Sequence, residues 1–119
     1  MRHSLTLAAT VLLGLAACAP ADSATPAQVS PQAVVVDVRT PAEYAEGHLE
    51  GAVLIDFNSG DVARAIPELD EHAQYLVYCR SGNRAGQTVD LMKAAGITNV
   101  QNLGSLAEAA EATGLPIVR

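Results

Sequence analysis

The stretch with the most chemical character is Cys79-Arg80-Ser81-Gly82-Asn83-Arg84-Ala85. A cysteine opens it, small turn-forming residues follow, and two arginines flank the turn. If the chain curves round the sulfur before entering a helix, the backbone amides of residues 80 to 84 form a nest. Such a nest, with a helix N-terminus behind it, favours negative charge. The same field favours the thiolate, which is the attacking form of cysteine. Gly82 permits the close approach or positive φ that a tight ring demands. Arg80 and Arg84 add positive charge, and either can face the mouth of the pocket. Cys79 is therefore the candidate nucleophile, and Arg80, Ser81, Gly82, Asn83 and Arg84 are candidate binding residues for a small anion. A buried structural cysteine ahead of an ordinary helix is the plain alternative. Two arginines around a Gly-Asn turn weigh against it.

Elements with the right periodicity surround this loop. Tyr75-Leu76-Val77-Tyr78 reads as a buried strand that runs straight into Cys79, and open α/β sheets place ligands at such strand ends. Ala85, Thr88, Val89, Met92 and Ala95 recur at helical spacing, which predicts a helix over Arg84 to Ala95 with Gly96 as its cap. Ala33 to Val38 is a β-branched run suited to a buried parallel strand. Thr40-Pro41-Ala42-Glu43 then forms a capping box that opens a short helix, ended by Gly47. Ala52 to Ile55 reads as a strand and Asp61 to Ile66 as a turn or two of helix before Pro67. Asn99 to Asn102 reads as a last strand, Leu103-Gly104-Ser105 as a turn, and Leu106 to Thr113 as a final helix. The repeating order predicts one three-layer α/β domain, with a central, mainly parallel sheet flanked by helices.

Composition narrows the partners. The chain has 119 residues, 7 basic against 13 acidic, and a net charge of -6. That balance argues against nucleic acid, which is bound through clustered Lys and Arg. A small anion needs only a local pocket of donors.

The N-terminus reads as a targeting segment. Arg2 and His3 precede the apolar run Leu5 to Ala17, which falls short of the roughly 20 residues that span a membrane. Leu15-Ala16-Ala17-Cys18 resembles a bacterial lipoprotein cleavage box, with Cys18 as the lipid acceptor. Residues 1–17 are thus expected to be a signal peptide, 18–32 a lipidated Cys and Pro-containing tether, and 33–119 the folded domain. Ala19, in place of the Asp that favours inner-membrane retention in enteric-type bacteria, points to a periplasm-facing lipoprotein of the outer membrane. Cys79 is then a lone thiol in an oxidising compartment.

Four motifs in order carry a family resemblance. Val36-Asp37-Val38-Arg39 with Pro41-Ala42-Glu43-Tyr44, then Gly47-His48-Leu49-Glu50-Gly51-Ala52, then Cys79 to Ala85, and finally Gly96-Ile97-Thr98-Asn99-Val100 with Asn102-Leu103-Gly104 resemble single-domain rhodaneses. Among these the likeness is to the small exported thiosulfate sulfurtransferases of the phage-shock type. The resemblance spans about residues 33 to 108. It implies ping-pong transfer of sulfane sulfur through a Cys79 persulfide, from a small anionic donor such as thiosulfate to a thiophilic acceptor: cyanide, a thiol or a protein. It implies no metal, nucleotide or flavin, no contact with the membrane beyond the lipid anchor, and a monomer. Asp37 and Arg39 are expected to brace neighbouring loops, and His48 to hydrogen-bond one. Ser105 stands where the family often has a second Gly, and the last segment lacks the aromatic residue that often anchors the final helix.

Rival readings differ in what they require. Cysteine phosphatases on related folds have one residue more between Cys and Arg, a ring sized for phosphate. A disulfide-exchange protein normally has a second cysteine near the first. A sulfur-carrier or binding module of the same fold, loaded by a protein partner, remains the main alternative to an enzyme. For the N-terminus, cells fed labelled palmitate should label this chain, and Cys18→Ser should abolish the label.

Overall fold

A computed structural model describes residues 29–119, so the expected signal peptide, Cys18 and most of the tether lie outside the described residues. Strand β1 (Val34–Asp37) leads into helix α1 (Pro41–Glu46), the short strand β2 (His48–Leu49) and strand β3 (Val53–Leu54). Helix α2 (Asp61–Ala65) passes into a 3-10 turn over Ile66–Glu68, which Pro67 accommodates. Strand β4 (Tyr75–Cys79), helix α3 (Asn83–Ala94), strand β5 (Val100–Ser105), helix α4 (Leu106–Thr113) and strand β6 (Ile117–Val118) complete the domain.

The four main strands form one parallel sheet in the order β3-β1-β4-β5. With β1 and β4 central, their side chains must be apolar on both faces, which is why both sequences are nearly continuous hydrophobic runs. Alternation along the strands then divides the core in two. Val36, Val38, Val77 and Cys79 pack with Ala85, Val89 and Met92 of α3. Val35, Leu76 and Tyr78 pack on the other face with Leu49 and with Ala109 of α4. The fold is the three-layer α/β arrangement with a mainly parallel sheet.

Local chemistry sets the element ends. Thr40 and Glu43 make the reciprocal capping box of α1, with Pro41 in its first turn. Ser105 and Glu108 do the same for α4. Ser105 is thus a helix cap, and its hydroxyl serves the last helix. Gly96, with φ +95°, follows the end of α3 as expected of a residue just past a helix C-terminus.

Two departures from the sequence reading stand out. The segment Leu103-Gly104-Ser105, expected as a turn, continues β5 up to α4. Its pairing with β4 jumps from Val77↔Asn102 to Tyr78↔Gly104, so Leu103 is bulged and drops into the second core. The C-terminal tail, which lacks the aromatic residue that often anchors the final helix and for which no strand was expected, ends in β6, which pairs antiparallel with β2 through His48↔Val118 and Leu49↔Ile117. Two backbone pairings and the fully buried Leu49 close that side of the domain.

Leu76, at the centre of β4, has no exposed surface. Leu76→Ala should lower unfolding free energy by about 3 kcal/mol through lost burial and a residual cavity, as read by urea titration.

Candidate active site

All the parallel strands point their C-terminal ends one way, and Cys79 is the last residue of β4. Strand alternation turns its side chain to the α3 face, where it is completely buried. The loop then bends back across the sulfur. The amide of Gly82 donates to Cys79 Sγ at 2.9 Å, and that of Ala85, one turn into α3, donates at 3.4 Å. Two N–H dipoles at the start of a helix therefore converge on one sulfur, an arrangement that stabilises negative charge there. Because Cys79 has no exposed surface, any reagent must pass these amides to reach the sulfur.

Glycine is required at the bend. Gly82 has φ +93°, and a Cβ there would stand 3.3 Å from the Cα of Gly104. The bulge in β5 serves the same contact. It places Asn102 so that its Nδ2 donates to the Gly82 carbonyl at 3.0 Å while its Oδ1 accepts from the Gly104 amide at 2.8 Å. In the sequence Asn102 reads only as part of a strand and turn. A side chain that hydrogen-bonds a loop carbonyl 20 residues away leaves no local periodic signal.

The two loop arginines behave differently. Arg84 reaches across to α1, where its Nη1 and Nη2 donate to Glu43 Oε1 at 3.0 Å and Oε2 at 3.3 Å. Glu43 also accepts from the Thr40 amide, so the capping residue of α1 anchors the Cys79 loop as well. The hydrogen bonds from Arg84, aided by those from Thr40, hold the Glu43 carboxyl down to about 2. Arg80 is exposed and has no ion-pair partner among the described residues. The Ser81 hydroxyl accepts weakly from the Asn83 amide at 3.4 Å, and Asn83 Oδ1 accepts from Gln87 at 2.7 Å. Both residues shape the loop and its entry into α3.

Asp37 and Arg39 form a buried ion pair behind the site. Arg39 Nη2 lies 2.7 Å from Asp37 Oδ2, its Nε and its backbone amide donate to the same carboxylate, and Nη2 also donates to the Gly47 carbonyl at 2.6 Å. The guanidinium sits 5.5 Å from the ring centre of Tyr78, the residue preceding Cys79. Burial pushes the Tyr78 hydroxyl far above the usual tyrosine range, so it stays protonated while accepting from the Leu49 amide. His48 stacks on Tyr44 at 3.7 Å, and its Nδ1 lies 2.9 Å from the Tyr44 carbonyl. Tyr44 packs against the core on the opposite face from Cys79. The structure thus gathers Cys79, its loop and Glu43, sets Asp37 and Arg39 behind them, and leaves His48 bracing α1.

Comparison with known proteins places this geometry. The family model described as a rhodanese-like domain matches residues 22–111. The chain belongs to the rhodanese family. This rhodanese domain is 34% identical over 77 residues to thiosulfate sulfurtransferase PspE of Escherichia coli, covering 63% of this chain and 72% of that protein. It is 39% identical over 71 residues to thiosulfate sulfurtransferase GlpE of Pseudomonas entomophila, covering 60% and 63% of the two chains. Among solved structures, a rhodanese with anions from E. coli matches with a TM-score of 0.59 at 30% identity, over 73% of this chain and 98% of that one. The protein is a single rhodanese-like domain homologous to bacterial sulfurtransferases.

The Glu43–Arg84 bridge gives the domain an acid signature. A carboxyl depressed on folding contributes stability that is fully present above its ordinary value and lost as pH falls through the folded one. Stability should therefore decline between about pH 4.5 and about pH 2. Urea titrations across that window should show a shallower decline in Glu43→Gln.

Proposed function

We propose that this rhodanese is a thiosulfate sulfurtransferase that works through a Cys79 persulfide. The observation that carries the reading is the pair of amides, from Gly82 and Ala85, aimed at one buried sulfur at the end of a central strand. The names of the relatives, thiosulfate sulfurtransferases in two bacteria, agree with it.

The chemistry follows from that geometry. Cys79 thiolate attacks the outer sulfur of thiosulfate. A new S–S bond forms, and the bond to the sulfonate sulfur breaks with its electron pair, releasing sulfite. The sulfur now carried on Cys79 is stabilised by the same inward N–H groups. A thiophilic acceptor such as cyanide then attacks the outer sulfur. Its bond to that sulfur forms as the persulfide S–S bond breaks, which restores the thiolate and, with cyanide, yields thiocyanate. Each step exchanges one nucleophile for another at sulfur. No proton need be abstracted once Cys79 is ionised, consistent with His48 being occupied with Tyr44, which packs on the opposite face of the sheet.

The likeness to the phage-shock-type enzymes, together with the N-terminal residues, extends the reading to location. Residues 1–17 would be removed on export, Cys18 would carry the lipid, and residues up to 32 would tether a monomeric domain on the periplasmic side of the outer membrane. Sulfur donors there would meet Cys79 as the only other thiol of the chain.

The test is an intact-mass measurement on the chain carrying Cys18→Ser. After reduction and brief exposure to thiosulfate, the protein should gain one sulfur atom and lose it again on addition of cyanide. Cys79→Ser should never gain it. Failure of the reduced protein to load from thiosulfate would overturn the enzyme reading in favour of a carrier loaded by a protein partner.

A further inference from the structure

The amide closest to the sulfur belongs to the residue least able to hold itself in place. Gly82 donates to Cys79 Sγ at 2.9 Å, and its φ of +93° and its contact with Gly104 both demand glycine. Glycine also samples more backbone conformations than any other residue. Its N–H stays on the sulfur only if something outside the residue fixes the loop there. The Ala85 amide has less need of this, because it lies in the first turn of α3.

Asn102 supplies the restraint. The bulge at Leu103 shifts the pairing of β5 with β4 and leaves Asn102 beside both Gly82 and Gly104. Its Nδ2 donates to the Gly82 carbonyl at 3.0 Å, and its Oδ1 accepts from the Gly104 amide at 2.8 Å. A donor must meet an acceptor at each end, so the carboxamide has one workable orientation. The Gly82 carbonyl also accepts from the Gly86 amide at 2.9 Å, and is thereby held from two sides. A Cβ on Gly86 would come to 3.4 Å from Asn102 Nδ2, so the bare helix backbone leaves the side chain its room. One exposed carboxamide thus joins the sheet edge, the loop and the start of α3.

We propose that Asn102 is a positioning residue for Cys79: it fixes Gly82 so that the Gly82 N–H stays on the sulfur, and in this way sets how readily the thiolate forms. Asn102 acts only through Gly82. A hydrogen bond to a charged acceptor is worth more than one to a neutral acceptor. Slack in the Gly82 amide therefore costs the thiolate more than the thiol. That the thiolate is a nucleophile toward a sulfur donor rests on the function proposed above; the link from Asn102 to the charge on the sulfur does not depend on the donor.

The test is a titration of the Cys79 thiolate by its ultraviolet absorbance in the Cys18→Ser chain, with the same chain carrying Cys79→Ser subtracted. Asn102→Ala should raise the midpoint by about one pH unit, a tenfold loss of thiolate below the midpoint. Alkylation by iodoacetamide, which is neutral, should slow by the same factor below the midpoint and recover above it. Asn102→Leu, of similar size and without the hydrogen bonds, should behave alike, and decides the question if Asn102→Ala unfolds. Asn102 is exposed and belongs to neither core, so both variants leave the packed interior intact. Every variant also keeps the ionic groups around the sulfur: Arg80 in the loop, Arg84 in α3, Glu43 in α1 and the Asp37–Arg39 pair after β1. Ser105→Ala, which removes the α4 cap from the same strand, should lower stability in urea and leave the midpoint in place. An unmoved midpoint in the Asn102 variants, or an equal rise in Ser105→Ala, would overturn the assignment. Should the unmutated loop fail to load from thiosulfate while the midpoints behave as stated, the role of Asn102 stands and the proposed donor falls.

Discussion

The buried pair of Asp37 and Arg39 is the constraint on which the site depends. It sits where β1 ends, and it has no exposed surface on the carboxylate side. Arg39 spends its donors on the Asp37 carboxylate and the Gly47 carbonyl, and its charged plane lies near the ring of Tyr78. One guanidinium thereby ties the end of the first strand to the segment after α1 and to the strand that carries Cys79. A charge taken this far from water is tolerated only when its partners are complete. Here they are, so the geometry behind Cys79 is held by an arrangement in which any lost member is costly.

From that anchor the order passes outward through α1. The chain leaves Arg39 directly into the Thr40 cap, and the residue that completes the cap, Glu43, also takes the two N–H groups of Arg84. Helix α1 is only six residues long and has no buried residue of its own. Its place in the structure comes from these polar contacts and from Tyr44, whose hydroxyl donates to the Ala52 carbonyl. A short helix of little intrinsic stability is therefore held by side-chain contacts, and one of them, Glu43 to Arg84, also ties down the Cys79 loop.

Much of this was legible in the sequence, and the parts that were not share a cause. Periodicity exposed the central strands and α3, and the spacing Thr40-Pro41-Ala42-Glu43 exposed the start of α1. The Cys79 loop announced itself by residue type and by following a buried strand. Strands β2 and β6 have two residues each, too few to carry an alternation, and they pair across more than 60 positions. The Glu43–Arg84 bridge spans 41 positions, and a capping glutamate already has a sufficient local reason to be where it is. The bulge in β5 was hidden because Leu103-Gly104-Ser105 has turn-like composition, while its conformation is set by contact with Gly82. Local rules read local structure; contacts between distant segments had to await the fold.

The contact between Gly82 and Gly104 limits how such a site can diversify. The loop and the neighbouring strand meet there backbone to backbone, with the Asn102 carboxamide bridging the two. The floor of the cradle is consequently one polypeptide thickness deep, and substitution at either position offers no means of widening it. Related proteins that handle bulkier or differently charged donors would have to vary the rim, or insert residues into the loop, and leave that floor as it stands. Diversity of substrate and constancy of the sulfur-holding ring then belong to separate sets of positions, and each can drift without disturbing the other.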